Sequence, residues 1–206
     1  SDVCSSDLPF EIVLGTRFEL GLSWIVPALS ALSATTPERR VHLYFGDSDA
    51  LVAALDAGQC DAIVTSARLS RPGIETVSLH EERYALVGAP ELLARSPLRT
   101  FKDAGRHTLL DIHADLPLFR YFLDARPARE VWRFASVHRL GTIAAVAALA
   151  KRGEGVAVLP RYFIERDLAK KTLAEPLPSA KLVTDFFRLL FRSGHPRSDD
   201  LSALAA

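Results

Sequence analysis

The stretch LGTIAAVAALAKRGEGVAVLP, residues 140–160, decides how the rest of the chain is read. It predicts a helix of small apolar residues over 140–150, a break at Lys151, Arg152 and Gly153, a turn completed by Glu154 and Gly155, and a buried strand over 156–159 that stops at Pro160. Alanine loses no side-chain entropy in a helix and lets the helix approach a sheet closely. Cations in the last turn suit the negative end of the helix dipole, and Gly153 suits the positive φ of a helix C-cap. Helix, turn and strand in this order form the second half of a parallel βαβ crossover.

Upstream, strands and helices alternate in the same way. Residues 1–8, SDVCSSDL, carry no hydrophobic period and read as a disordered tail or linker remnant. A strand is expected over 11–15 (EIVLG) and a turn over 16–21. The helix that follows has Leu22, Ile25, Val26, Leu29 and Leu32 on one stripe, with Pro27 in its first turn or bending it. A second strand over 41–45 (VHLYF) leads to GDSD, where Asp47 and Asp49 read as caps of a helix over 50–57 that stops at Gly58. A third strand runs over 61–66 (DAIVTS). This β-α-β-α-β order means a parallel sheet with helices on its faces. Strands over 74–79 and 83–87 and a short helix over 90–98 change the rhythm. A second series starts at 107, with a strand over 107–112, a helix over 116–125 that buries Phe119, Phe122 and Leu123, a strand over 130–137, and then the opening stretch. A helix over 161–170, the apolar strand FFRLLFR at 186–192 and the start of a helix at 197 complete an α/β chain with two βα series.

Composition narrows the function classes. The 206 residues suffice for one large domain or two small lobes, and 49% apolar content supports a sizeable core. Lys and Arg number 25 against 25 Asp and Glu, so bulk charge gives no grip on nucleic acid or on an anionic membrane. No apolar run is expected to span a bilayer and no secretory segment opens the chain, so no membrane partner is expected. Two cysteines cannot build a disulfide framework. Cys4 lies in the polar tail, and Cys60, at the entry to an apolar strand, is expected to be a buried free thiol, which suits a reducing, cytoplasmic setting. The chain has no methionine, so a fragment or a processed product is expected.

Catalytic signatures are not found. The six histidines show neither HxxxH nor HxH spacing, so no metal is expected. There is no GxSxG elbow, and GEGVAVLP closes a helix rather than opening one, so neither a nucleophile nor a dinucleotide cofactor is assigned. Glu81 and Glu82 read as a solvated turn, and Phe119, Tyr121 and Phe122 as core. No catalytic residue, metal or cofactor is assigned, and the chain is not expected to be an enzyme.

Ligands of open α/β sheets lie outside the carboxyl ends of the strands, and clefts between lobes are favoured sites. The candidate ligand-binding residues are therefore Thr16, Arg17 and Phe18 after the first strand, Gly46 after the second, and Ser66 and Arg68 after the third. In the second series they are His113, Ala114 and Asp115, and then His138. Thr16 reads either as a helix cap or, with backbone N–H groups beside it, as an anion anchor. Arg17 is a second anchor or a surface charge, and the histidines are polar ligand contacts or solvated loop side chains.

Three landmarks in order resemble one family. EIVLGTR followed by a helix carrying VPAL is similar to an opening strand, turn and LLPxL helix. VHLYFGDSDALVAALDAGQCDAIVTS is similar to a strand, glycine turn, helix and LxxGxLDxAI segment, with Cys60 where an aliphatic residue is usual. AALAKRGEGVAVLP resembles the signature ALVAAGxGIALLP. Together they resemble the effector-binding domain of LysR-type transcriptional regulators over residues 9–200. The resemblance implies a two-lobed type 2 periplasmic-binding-protein-like fold, two Rossmann-like βα lobes joined by two crossover segments. Lobe I would be residues 9–87 with 175–206, and lobe II residues 88–174. It also implies a small, acidic organic effector between the lobes, with Thr16 matching the family's Ser/Thr at this turn. The family further implies a homodimer or higher homo-oligomer, and DNA contact only through a missing N-terminal winged helix-turn-helix. An extracytoplasmic solute-binding protein and an enzyme on the same fold are the alternatives.

Overall fold

A computed structural model describes residues 9–66, 69 and 71–205. The chain divides into two compact units, Ser1–Glu81 with Phe186–Ala206, and Glu82–Asp185.

The first unit carries a five-stranded sheet in the order β2-β1-β3-β9-β4. Its strands are β1 (Phe10–Thr16), β2 (Arg39–Phe45), β3 (Ala62–Thr65), β4 (Ile74–Glu82) and β9 (Asp185–Arg192). β1 runs parallel to β2 and β3, as the alternation requires, whereas β9 lies antiparallel to β3 and makes the sheet mixed. The first helical segment starts earlier than the sequence suggests. α1 (Phe18–Leu20) passes into a π-helical turn, Gly21–Ile25, and then into α2 (Val26–Thr35). In that wide turn the Val26 N–H donates to the Gly21 carbonyl, five residues back. The turn lies just ahead of Pro27, whose ring and missing N–H disfavour a regular α-turn. The wider turn rotates the expected stripe, so Ile25 is buried while Leu22 and Val26 face outward, 62% and 41% exposed. No residue of α2 is buried. Contrary to expectation, Phe18–Thr35 is long and apolar enough to match a membrane span by length and composition. Of this span 17% is buried, with Leu20 and Ile25 among the buried residues. Asp47 caps α3 (Ser48–Asp56) as expected, its Oδ1 accepting from the Ala50 N–H at 2.8 Å.

The second unit carries a four-stranded sheet in the order β5-β8-β6-β7. Its strands are β5 (Tyr84–Val87), β6 (Thr108–Asp111), β7 (Ser136–Arg139) and β8 (Val156–Pro160). β6 runs parallel to β7 and β8, and β5 antiparallel to β8. β5, which closed lobe I in the sequence division, is hydrogen-bonded into this second sheet. The helices are α4 (Pro90–Arg95), α5 (Pro117–Leu123), α6 (Ile143–Lys151) and α7 (Arg161–Ala169), and α8 (Ser198–Ala203) belongs to the first unit. A 3-10 turn, Phe101–Arg106, with a capping box between Thr100 and Asp103, precedes β6.

The opening stretch holds the second core together. α6 starts at Ile143, three residues later than expected, because the Thr142 hydroxyl accepts from the Ala145 N–H and fixes the N-cap there. Gly153 takes φ +76°, and Gly155 comes so close to β6 that an added Cβ would lie 2.5 Å from the Thr108 carbonyl oxygen. Val156, Ala157, Val158 and Leu159 are fully buried among Val146, Ala147, Ala150, Leu109 and Leu110. The strand expected over 130–137 forms only at its end. Trp132 and Phe134 pack inward, but ladder pairing with β6 begins at Ser136. Leu123 is more exposed than expected, at 38%, while Phe119 and Phe122 are core. Glu82 is not a solvated turn residue: it ends β4 and is buried.

Candidate functional site

In the first unit, three parallel strands end together. Thr16 closes β1 with Phe45 of β2 on one side and Val64 of β3 on the other. Gly46 follows β2, and its N–H donates to the Thr16 carbonyl at 3.2 Å. Ser66 follows β3, and its carbonyl accepts from Arg188 Nη1 at 3.0 Å. Thr16, Gly46 and Ser66 are thus gathered at one carboxyl edge. Arg68 and the tail 1–8 lie outside the described residues.

The Thr16 side chain is fully buried. It does not cap the helix: the N-cap is Arg17, with no side-chain hydrogen bond to the first turn. The Thr16 hydroxyl instead donates to the Arg17 carbonyl at a long 3.5 Å. Gly21 makes this packing possible, because an added Cβ would come within 2.6 Å of Thr16 Cγ2 and 2.4 Å of the Phe45 ring. Arg17 is half-buried, and Phe18, 59% exposed, stacks on Phe45 with ring centroids 5.1 Å apart. No local pattern marks Phe45 as the platform under Phe18, because their pairing depends on the register of β1 and β2.

In the second unit, His113, Ala114 and Asp115 sit exposed on the loop after β6. His138 is not in a loop: it lies within β7, opposite Leu110, and is exposed along that edge strand. The residue that shapes the loop is Asp111, which was not singled out from the sequence. Its buried carboxylate accepts from the backbone N–H groups of Ile112 (2.7 Å), Leu118 (3.3 Å) and Phe119 (2.9 Å). It thereby ties the end of β6 to the first turn of α5. Burial pushes the Asp111 carboxyl up, against the lowering effect of those N–H groups. An Asp at a strand end followed by a helix was the available signal. Leu116, in the same loop, takes the left-handed φ of 54° ahead of Pro117.

Cys60 is a buried free thiol, and burial and the neighbouring Asp61 raise its pKa. Among the described residues no group of three His, Cys, Asp or Glu side chains is placed to hold a metal ion.

A family model described as the LysR substrate binding domain matches residues 11–206. The chain belongs to this family. The LysR relatives it resembles include the HTH-type transcriptional regulator AbaB of Streptomyces antibioticus, 27% identical over 74% of this chain and 54% of that protein. They also include the malonate utilization transcriptional regulator of Klebsiella pneumoniae, 24% identical over 94% of this chain and 63% of that protein. The chain therefore spans between half and two thirds of the length of these regulators. Among solved structures, the regulatory domain of the LysR-type regulator CrgA from Neisseria meningitidis superposes with a TM-score of 0.78 at 16% identity, covering 96% of both chains. The LysR domain is thus a two-lobed α/β fold of the type 2 periplasmic-binding-protein kind, with two mixed sheets.

Proposed function

We propose that this chain is the effector-sensing part of a LysR-type transcriptional regulator and that its ligand is a small acidic organic molecule. The lobes of this reading are the two units, Ser1–Glu81 with Phe186–Ala206, and Glu82–Asp185. The observation that carries it is the gathering of Thr16, Gly46 and Ser66 at the carboxyl edge of three parallel strands, in a chain matched by the family over residues 11–206. Arg17 and Phe18 add a cation and an aromatic face at the same edge. His113, Ala114, Asp115 and His138 supply the contacts of the second lobe. One relative is named for malonate utilization, and malonate is a small dicarboxylate.

The effector binds one state of the domain more tightly than another, and that differential affinity is what the regulator passes on. The domain works in the cytoplasm as a homodimer or higher oligomer, and a winged helix-turn-helix outside these residues contacts DNA. The test is a thermal-shift screen of malonate, other small carboxylates and aromatic acids, followed by calorimetry on Thr16→Ala and Thr16→Ser. Thr16→Ala is expected to weaken an acidic ligand by about 1–3 kcal/mol, the range for losing a hydrogen bond to a charge, and Thr16→Ser to restore it. An acidic ligand with unchanged affinity for Thr16→Ala overturns the assignment of this turn, and stabilisation by neutral compounds alone overturns the acidic effector.

A further inference from the structure

The second unit holds a groove of about 490 Å³ that shares no residue with the candidate site. Its lining residues Arg99, Arg126, Glu130 and Trp132 precede β6 and β7 in the chain, so the groove lies at the amino ends of these parallel strands. His113 lies beyond their other end. Arg126 rests over the Phe122 ring, 4.8 Å from its centroid, and donates through one Nη to the Lys181 carbonyl. Its buried Nε has no hydrogen-bond partner among the described residues. Arg99 faces the same groove; its backbone N–H donates to Asp103 Oδ2 at 3.0 Å, while its guanidinium has no carboxylate partner among the described residues. Trp132 forms an aromatic wall, held edge-on against Phe122 with centroids 4.8 Å apart. The one carboxylate in the lining, Glu130, accepts from the Trp132 indole N–H at 3.3 Å and so orients the ring. The lining itself carries two guanidinium groups and one carboxylate, and the Asp103 carboxylate behind Arg99 and Thr100 is paired with Arg106.

The volume is that of a small-molecule site, and the arginine fork matches a planar carboxylate. A rigid indole beside apolar Leu177 offers a flat face to an apolar body. We infer that this groove is a second small-molecule site, for an aromatic carboxylic acid whose carboxylate meets Arg99 and Arg126 and whose ring lies against Trp132.

The chain has two tryptophans, Trp24 in the first unit and Trp132 in the second, so their indole N–H resonances report on the two units separately. The experiment titrates the whole chain with 2-naphthoate and, in parallel, with 2-naphthamide. 2-Naphthoate is expected to move the Trp132 resonance saturably and the amide to leave it in place. Arg99→Gln is expected to weaken binding roughly tenfold, as fits the loss of a charge-assisted hydrogen bond. Glu130→Gln, which keeps the bond to the indole and removes the negative charge, is expected to tighten it, an effect that misfolding cannot imitate. Thr16→Ala is expected to leave this titration unchanged. A Trp132 resonance unmoved by 2-naphthoate, equal binding of the amide, or no effect of Arg99→Gln overturns the second site. Loss of the signal in Thr16→Ala also overturns it, because the acid would then be reporting on the strand-edge site.

Discussion

His107 shows how one buried side chain sets the response to pH. It ends the 3-10 turn with 2% of its surface exposed, and its Nε2 lies 3.4 Å from the Ser96 hydroxyl. Burial, and then the neighbouring Arg106, lower its pKa from the ordinary 6.5. The folded chain therefore prefers the neutral ring, and the unfolded chain takes up the proton first as pH falls. Stability is lost from about pH 6.5 downward until the folded value is passed. Urea unfolding at about pH 7.5 and about pH 5.5 is expected to show a smaller loss for His107→Gln than for the natural chain. Equal losses in the two proteins would remove His107 from the account. Asp111 bears on a different question, that of what a sequence can reveal. The strand-edge rule pointed to the loop at 113–115, but the group that builds the loop is two residues earlier. Its three backbone partners depend on how α5 returns, which no local pattern encodes. Thr16 was recognised for its position, yet its burial follows from Gly21 and Phe45, two residues that the turn and the neighbouring strand bring to it.

At the scale of elements, the helix-turn-strand unit that ends at Pro160 was legible because each of its parts is local. Small residues favour the helix, Gly153 supplies the left-handed turn, and the apolar run supplies the central strand. Gly155 is the tightest point, since an added methyl group meets the backbone oxygen of Thr108 and β6 cannot yield without losing ladder bonds. Gly155→Ala is expected to lower the unfolding free energy by about 1–3 kcal/mol in a denaturant titration, the range for overpacking a core. A loss below a few tenths of a kcal/mol would mean that β8 shifts freely. The elements that were misread share a physical cause. The segment before β7 looks like a strand because its aromatics alternate, but alternation records which side is buried, not which backbone is paired. The stripe on the first helix assumed 3.6 residues per turn, and the wide turn ahead of Pro27 altered that period. The antiparallel placement of β9 and β5 depends on how the chain returns from the second unit, and strand composition carries no trace of it.

For the whole molecule, the faces left open by each unit matter most. Ala28, Ala31 and Ala148 are exposed and Ala145 is half-exposed, so core packing does not account for these small residues. With Leu22 and Val26 they mark the helical faces that would meet in a two-fold dimer. Sedimentation equilibrium is expected to give a dimer for the natural chain and a monomer for Leu22→Asp. A natural chain that stays monomeric at every workable concentration would refute this. The order of the chain also bears on how the protein emerges from the ribosome. β9 comes near the end of the chain, yet it sits between β3 and β4 within the first sheet. Until it is synthesised, β3 and β4 each present an open edge, the kind of surface on which nascent chains aggregate. The second unit, Glu82–Asp185, is contiguous and can close its own core while the first still waits. Vectorial synthesis therefore reverses the usual sequence: the part made first is the last to become whole.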